Sequence, residues 1–150
     1  MMDFSKISKF VRGRRGNMSR LRREFELRPA GPLTWIHSAS YGEFEEVRPV
    51  VERIRERCPE GKILLTFFSP SGYEVRKNYS GADIVCYLPF DTPGNVLSFF
   101  RLIKPEMAFF IKYEFWFNFL IACRHQHIPV YSVSSIFRSN KIFFRWDGIG

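Results

Sequence analysis

The sequence predicts an α/β fold on a parallel sheet, and three observations carry that prediction. Five short apolar runs recur along the chain, segments with a helical apolar period separate them, and the composition is that of one globular domain: 150 residues, 45% hydrophobic and 25% charged. The first run, Leu33–His37, is followed by Val47, Val50, Val51 and Ile54, whose i, i+3, i+4, i+7 spacing lines one face of a helix. Lys62–Phe67 is the second run, and Ser69-Pro70-Ser71-Gly72 reads as a turn feeding a short helix through Arg76. Ile84–Leu88 is the third. Thr92 and Pro93 then suit the cap and first residue of a helix that carries Val96, Phe99, Phe100 and Ile103 on one face. Met107–Ile111 precedes a helix with Trp116, Phe119, Leu120 and Cys123 on one face, and Pro129–Val133 is the fifth run. Strand and helix alternating in this way make right-handed crossovers, so the strands run parallel with helices on both faces. The predicted architecture is a Rossmann-like domain over residues 31–150.

The net charge of +8 is concentrated at the amino end, where residues 1–28 hold nine basic and three acidic side chains. We read residues 1–30 as a basic amphipathic arm: Phe4, Ile7 and Val11 share a helical face, with Lys6, Lys9 and Arg12 around it, as in a short interfacial helix. A solvated charged tail is the other reading. Such a balance calls for an anionic partner, whether nucleic acid, lipid headgroups or a phosphorylated substrate. No stretch is long and apolar enough to span a bilayer, and no apolar segment of a secretory signal precedes a cleavage site, so the expected location is the cytoplasm. Cys58, Cys86 and Cys123 are far apart and form no C-x-x-C pair. They are expected to be buried, reduced thiols, with no disulfide framework, no metal set and no cofactor.

In open parallel sheets ligands bind beyond the carboxyl ends of the strands, which here directs attention to five loops on one edge. They are Ser38–Glu43, Phe68–Gly72, Pro89–Pro93, Lys112–Trp116 and Ser134–Arg138. Neither a G-x-G-x-x-G nor a G-x-x-x-x-G-K-[ST] run is present, so the usual nucleotide fingerprints are missing. The first loop offers Ser40, Gly42 and Glu43. A carboxylate at a helix start is held ionised and can take a proton from a hydroxyl, so Glu43 is a candidate general base; on spacing alone, support of the helix start alongside Glu45 and Glu46 is the commoner explanation. Pro49 fits a first helical turn and conflicts with a helix begun as early as Gly42. Glu114 is a second carboxylate on the same edge. Ser69, Ser71, Lys112, Ser134, Ser135 and Arg138 suit a hydroxylated or phosphorylated ligand. His37 reads as a proton carrier or as a satisfied strand-end residue; His125 and His127 are explained by a helix carboxyl end.

Read together, these loops resemble a known family. Trp35-Ile36-His37-Ser38-Ala39-Ser40-Tyr41-Gly42-Glu43, Leu64-Leu65-Thr66-Phe67-Phe68-Ser69-Pro70-Ser71-Gly72-Tyr73, Tyr87-Leu88-Pro89-Phe90-Asp91-Thr92-Pro93-Gly94 and Tyr113-Glu114-Phe115-Trp116 with Asn118 are similar to the amino-terminal half of 3-deoxy-D-manno-octulosonic acid (Kdo) transferases, in order and at the right spacing. Ile111-Lys112-Tyr113-Glu114-Phe115-Trp116 resembles most the Bacteroidetes branch.

The resemblance implies the amino-terminal half of a B-type glycosyltransferase that moves Kdo from CMP-Kdo to the lipid A precursor in lipopolysaccharide biosynthesis, at the cytoplasmic face of the inner membrane. It implies Glu43 as the catalytic base of a single inverting displacement. The expected acceptor-binding residues are Ser40, Gly42, Ser69, Ser71, Gly72, Lys112, Glu114, Ser134 and Arg138. Lys112 stands where many members carry another acid. Members often begin with a hydrophobic anchor helix; none is read here, so the arm is expected to hold the anionic inner-membrane surface peripherally, with no nucleic acid as partner. Members also continue into a donor-binding domain. The aromatic run Ile142–Trp146 reads as an apolar segment with no following partner, so the expectation is a partial, acceptor-binding half that is inactive alone. Two other readings compete: a non-catalytic module holding a phosphate-rich polymer or a membrane surface, and another B-type sugar enzyme such as a nucleotide-sugar epimerase.

Overall fold

Every residue of β1 (Leu33–Ser38) is buried, as a strand covered on both faces must be. Its side chains alternate between two cores: Leu33 and Trp35 enter one, Ile36 the other. The computed structural model of the protein describes residues 4–14, 16–27, 32–111, 116–133 and 143–146. Around β1 the chain runs α1 (Phe4–Arg14), α2 (Asn17–Glu26), β1, α3 (Tyr41–Arg57), β2 (Lys62–Phe67), α4 (Pro70–Arg76), β3 (Ile84–Tyr87), α5 (Pro93–Ile103), β4 (Met107–Ile111), α6 (Phe117–His125), β5 (Val130–Val133) and β6 (Phe143–Trp146). The sheet order is β3-β2-β1-β4-β5-β6. The five expected strands are all parallel, an α/β Rossmann-like arrangement.

The first core holds Leu21 of α2, the inward faces of α5 and α6, and Trp35, whose ring meets those of Phe99, Phe100, Phe110 and Phe119 at centroid distances of 5.1 to 5.7 Å. The second holds Phe44, Val47, Val50 and Val51 of α3 against Leu65, Phe67, Phe109 and Ile111. Trp35 donates its indole N–H to Thr66 Oγ1 at 2.9 Å, and the same oxygen lies 2.9 Å from His37 Nδ1. His37 is fully buried, with Nδ1 engaged by the Thr66 hydroxyl.

Three expectations are corrected, and the run ending at Trp146 finds its partner in the preceding strand: β6 pairs antiparallel with β5, Val130 opposite Trp146 and Val133 opposite Phe143. Antiparallel closure of a parallel sheet depends on a chain reversal that apolarity alone does not reveal. Pro49 does not delay its helix, because α3 starts at Tyr41 and carries Pro49 inside, leaving out only the N–H that would bond the Glu45 carbonyl. Trp116 precedes α6 as its capping residue and does not belong to its apolar face. Cys86 and Cys123 are buried, and burial pushes both thiols up to about 12, but Cys58 is only half-buried.

The arm packs against the sheet. Strand β3 is at the sheet's edge, with outward N–H and C=O groups that need partners. Asn17 of α2 supplies both for Tyr87, donating Nδ2–H to its carbonyl at 2.8 Å and accepting its N–H at 3.4 Å. Arg20 donates to the Val85 carbonyl and to the Tyr73 hydroxyl. The second half of the arm therefore closes the edge strand. In α1, Phe4 and Ile7 are exposed, whereas the side chains of Lys6, Lys9 and Val11, and the whole of Arg15, lie outside the described residues. Among the described residues no helix is long and apolar enough to cross a membrane.

Candidate functional site

The strand order puts a topological switch beside β1. The chain steps from β1 to β2 to β3, then returns to place β4 on the other side of β1. Loops leaving the carboxyl ends of β1 and β4 therefore diverge and open a crevice between them, the usual ligand site of such sheets. Glu43 follows β1 at that crevice. The fourth loop begins beside it, because β4 runs parallel to β1 with His37 opposite Phe110. Lys112 and Glu114 of that loop, and Ser134, Ser135 and Arg138 after β5, lie outside the described residues, so their predicted convergence with Glu43 stays an expectation.

The first loop is built by a helix start. Ser40 has extended backbone and its hydroxyl accepts the Glu43 N–H at 3.4 Å, while Ser38 Oγ donates to the Ser40 carbonyl at 3.0 Å. Glu43 is the third residue of α3 and folds back so that Oε2 accepts the Ala39 N–H at 2.9 Å. This is the reciprocal capping pattern of a Ser-x-x-Glu start, with the carboxylate reaching one residue further than usual. The positive end of the helix dipole favours the ionised carboxylate there. The cap reading of Glu43 is thus realised in geometry, and a carboxylate held this way keeps the acceptor chemistry a base requires.

The second loop is tied to the first, since the Ser69 N–H donates to the Ala39 carbonyl at 2.9 Å. The Ser69 and Ser71 hydroxyls are 2.8 Å apart at the surface, presenting two donor-acceptor groups on the Glu43 side of the sheet. Gly42 and Gly72 differ. A Cβ on Gly42 would meet nothing within 4 Å, so the backbone of the α3 start is open to a ligand. Gly72 is buried, and a Cβ there would lie 2.3 Å from Phe67 Cδ1 and 3.1 Å from the Tyr41 N. Its absence of a side chain serves the packing of α4 on β2. Arg76 fastens α4 to α3 by pairing with Glu45 and reaching the Tyr41 hydroxyl; its hydrogen bond holds the Glu45 carboxyl below the ordinary carboxylate range.

Sequence reasoning missed three groups on this edge. Arg14 reaches over from α1, half-buried, and its guanidinium lies 4.8 to 4.9 Å from the ring centroids of Phe68, Tyr87 and Phe90. Burial pulls its pKa down to about 10, with Tyr87 acting in the opposite direction, so it remains charged at neutral pH. The Phe68 ring also meets the Trp116 ring, whose centroid is 4.8 Å away, and Trp116 meets His37 edge-on at 5.8 Å. Asp91 accepts the N–H of Asn118 and its carbonyl accepts the Asn118 amide, fixing the third loop to the start of α6. The Asn118 of the fourth motif and the Asp91 of the third were both visible, but not their pairing. A cavity of about 580 Å3, lined by Val50, Arg53, Ile54, Ile63, Met107 and Phe109 among others, lies at the opposite, amino-terminal edge and has no part in this site.

Comparison with known proteins adds an independent line. A family model described as 3-Deoxy-D-manno-octulosonic-acid transferase (kdotransferase) matches residues 11–147. The chain is 38% identical over 88 residues to a 3-deoxy-D-manno-octulosonic acid transferase of Aquifex aeolicus, covering 58% of this chain and 24% of that protein. It is 31% identical over 122 residues to a probable mitochondrial 3-deoxy-D-manno-octulosonic acid transferase of Arabidopsis thaliana, covering 81% and 27%. A third relative, from Bordetella pertussis, is 29% identical over 120 residues, covering 76% and 28%. The chain thus spans about a quarter of the length of these curated relatives.

Proposed function

The chain belongs to the Kdo transferase family of glycosyltransferases, and from that premise we propose that it is the acceptor-binding part of an enzyme that moves Kdo from CMP-Kdo to the lipid A precursor, with Glu43 as general base. The observation that carries the reading is the place of Glu43: a carboxylate on the first turn of α3, in the loop after the central strand, at the switch between β1 and β4. In the proposed step a hydroxyl oxygen of the acceptor sugar attacks the anomeric carbon of Kdo. The bond from that carbon to the phosphate oxygen of CMP breaks, the electron pair leaves with CMP, and the hydroxyl proton passes to Glu43. One displacement of this kind inverts the anomeric centre.

Ser40 and Gly42 border the base, and Ser69 and Ser71 supply hydroxyls toward the acceptor; Gly72 supports their loop by packing. Lys112, Glu114, Ser134 and Arg138 complete the acceptor side in this proposal. The arm is assigned to the anionic inner-membrane surface on its cytoplasmic face, through exposed Phe4, Ile7 and Arg12. A module that binds phosphate polymer through a free arm finds less support, because Arg14 and Arg20 are spent on the domain itself.

The test uses the chain itself. Titrated with lipid A precursor in detergent micelles and, separately, with CMP-Kdo, it is expected to bind the first and not the second. Binding of CMP-Kdo without affinity for the acceptor would contradict the assignment.

A further inference from the structure

Arg14 and Glu43 are 29 residues apart in the sequence, yet three hydrogen bonds and the backbone of Ala39 join them. Arg14 Nη2 donates to the Phe68 carbonyl at 2.5 Å and Nε to the Leu88 carbonyl at 3.2 Å, so one planar guanidinium grips the ends of β2 and β3. The Phe68 carbonyl and the Ser69 N–H belong to the same peptide group. That N–H donates to the Ala39 carbonyl at 2.9 Å, and the Ala39 N–H donates to Glu43 Oε2 at 2.9 Å. A cationic donor on a peptide carbonyl polarises the group and strengthens the bond its N–H makes. The Phe68 ring is contacted at the same time by the guanidinium and by the Trp116 ring.

We propose that Arg14 is a positioning residue for the Glu43 carboxylate, holding it through the Phe68–Ser69 peptide and Ala39. This role in catalysis rests on the reading of Glu43 as the base. Arg14 acts through the loops: it sets the height of the second loop against the first, and the first loop aims the carboxylate. It also makes the carboxyl end of α1 part of the site's frame, so a displacement of α1 reaches Glu43 through backbone groups without a change in the sheet. Lysine replaces it only in part, because a compact ammonium lacks the planar fork that bonds two carbonyls while stacking against rings.

Amide hydrogen exchange on the 150-residue chain tests the relation without any assay of activity. In Arg14→Met, protection of the Ser69 and Ala39 amides is expected to fall about tenfold or more, while Ala108 and Ile63, bonded at the far edge of the sheet, keep theirs. Arg14→Lys is expected to give a smaller loss in the same two amides, and serves if the methionine variant does not fold. Unchanged protection at Ser69 and Ala39, or a uniform loss across all four amides, would overturn the proposal, the second showing a merely structural role. With the chain joined to a CMP-Kdo-binding half, Arg14→Lys should lower kcat and leave the KM for acceptor nearly unchanged; a raised KM at unchanged kcat would contradict it. Normal turnover of Glu43→Gln beside the expected exchange pattern would remove Glu43 as the base and leave the Arg14 to Glu43 connection standing.

Discussion

Glu43 Oε2 accepts the backbone N–H of Ala39 at 2.9 Å, so the carboxylate is held by the residue just ahead of the cap of its own helix. One contact therefore serves two ends. It satisfies an amide that would otherwise be left at the helix start, and it stops a flexible side chain from sampling positions away from the crevice.

The cap can be separated from the chemistry at Ser40. Its hydroxyl meets the Glu43 N–H, and Ser40→Ala removes that bond while leaving the carboxylate in place. We expect a loss of about 1 kcal/mol in stability, read as a lowered urea midpoint with an unchanged slope.

The two glycines of the candidate site should behave in opposite ways. Gly72→Ala forces a Cβ to within 2.3 Å of the Phe67 ring and is expected to destabilise the chain by about 1 to 3 kcal/mol. Gly42→Ala meets open space on a helix and is expected to stabilise slightly, by about 0.5 kcal/mol or more. Thermal unfolding of both variants checks this, and an acceptor titration of Gly42→Ala shows whether the open backbone is used by the ligand.

At the opposite edge, acid should release a structural clamp. Asp83 is partly buried, which by itself raises its pKa, but hydrogen bonds from Arg55 and the Ile63 N–H and the nearby charges of Arg55 and Lys62 outweigh that and hold it below its ordinary value of 3.8. Arg55 spans from the Gly61 and Gly81 carbonyls to this carboxylate, tying α3 to the starts of β2 and β3. A carboxyl depressed in the folded state contributes its full stability above the unfolded pKa and loses it as pH falls through the folded one. The stability gap between the native chain and Asp83→Asn should therefore be constant near neutral pH and shrink below about pH 4, in denaturation curves taken across that range.

The strands were legible because each is buried on both faces and so reads as an unbroken apolar run; Leu33–Ser38 and Met107–Ile111 leave little else to conclude. The five-loop edge followed from their parallel order, and Thr92 with Pro93 gave the start of α5 by cap chemistry alone. What stayed hidden is long-range. Asn17 and Arg20 read as members of a charged tail because their partners, Tyr87 and Val85, are backbone groups of an edge strand 70 and 65 residues away. The partners of Arg14 are hidden for the same reason, and the closeness of Gly72 to the Phe67 ring is a matter of packing between elements that the sequence does not display. In the first helix, both the helix itself and the exposure of Phe4 and Ile7 are local and match the sequence pattern.

The central claim is that Glu43 takes the acceptor proton, and turnover of Glu43→Gln measures it most directly. Glutamine keeps the shape of the side chain and an oxygen for the Ala39 N–H, but cannot accept a proton from a hydroxyl. With the chain joined to a CMP-Kdo-binding half, the rate of Kdo transfer should fall about 100-fold to 10,000-fold while acceptor affinity and melting temperature change little. A stable Glu43→Gln protein that transfers Kdo at the unaltered rate would contradict the assignment and leave Glu43 as the cap of its helix alone.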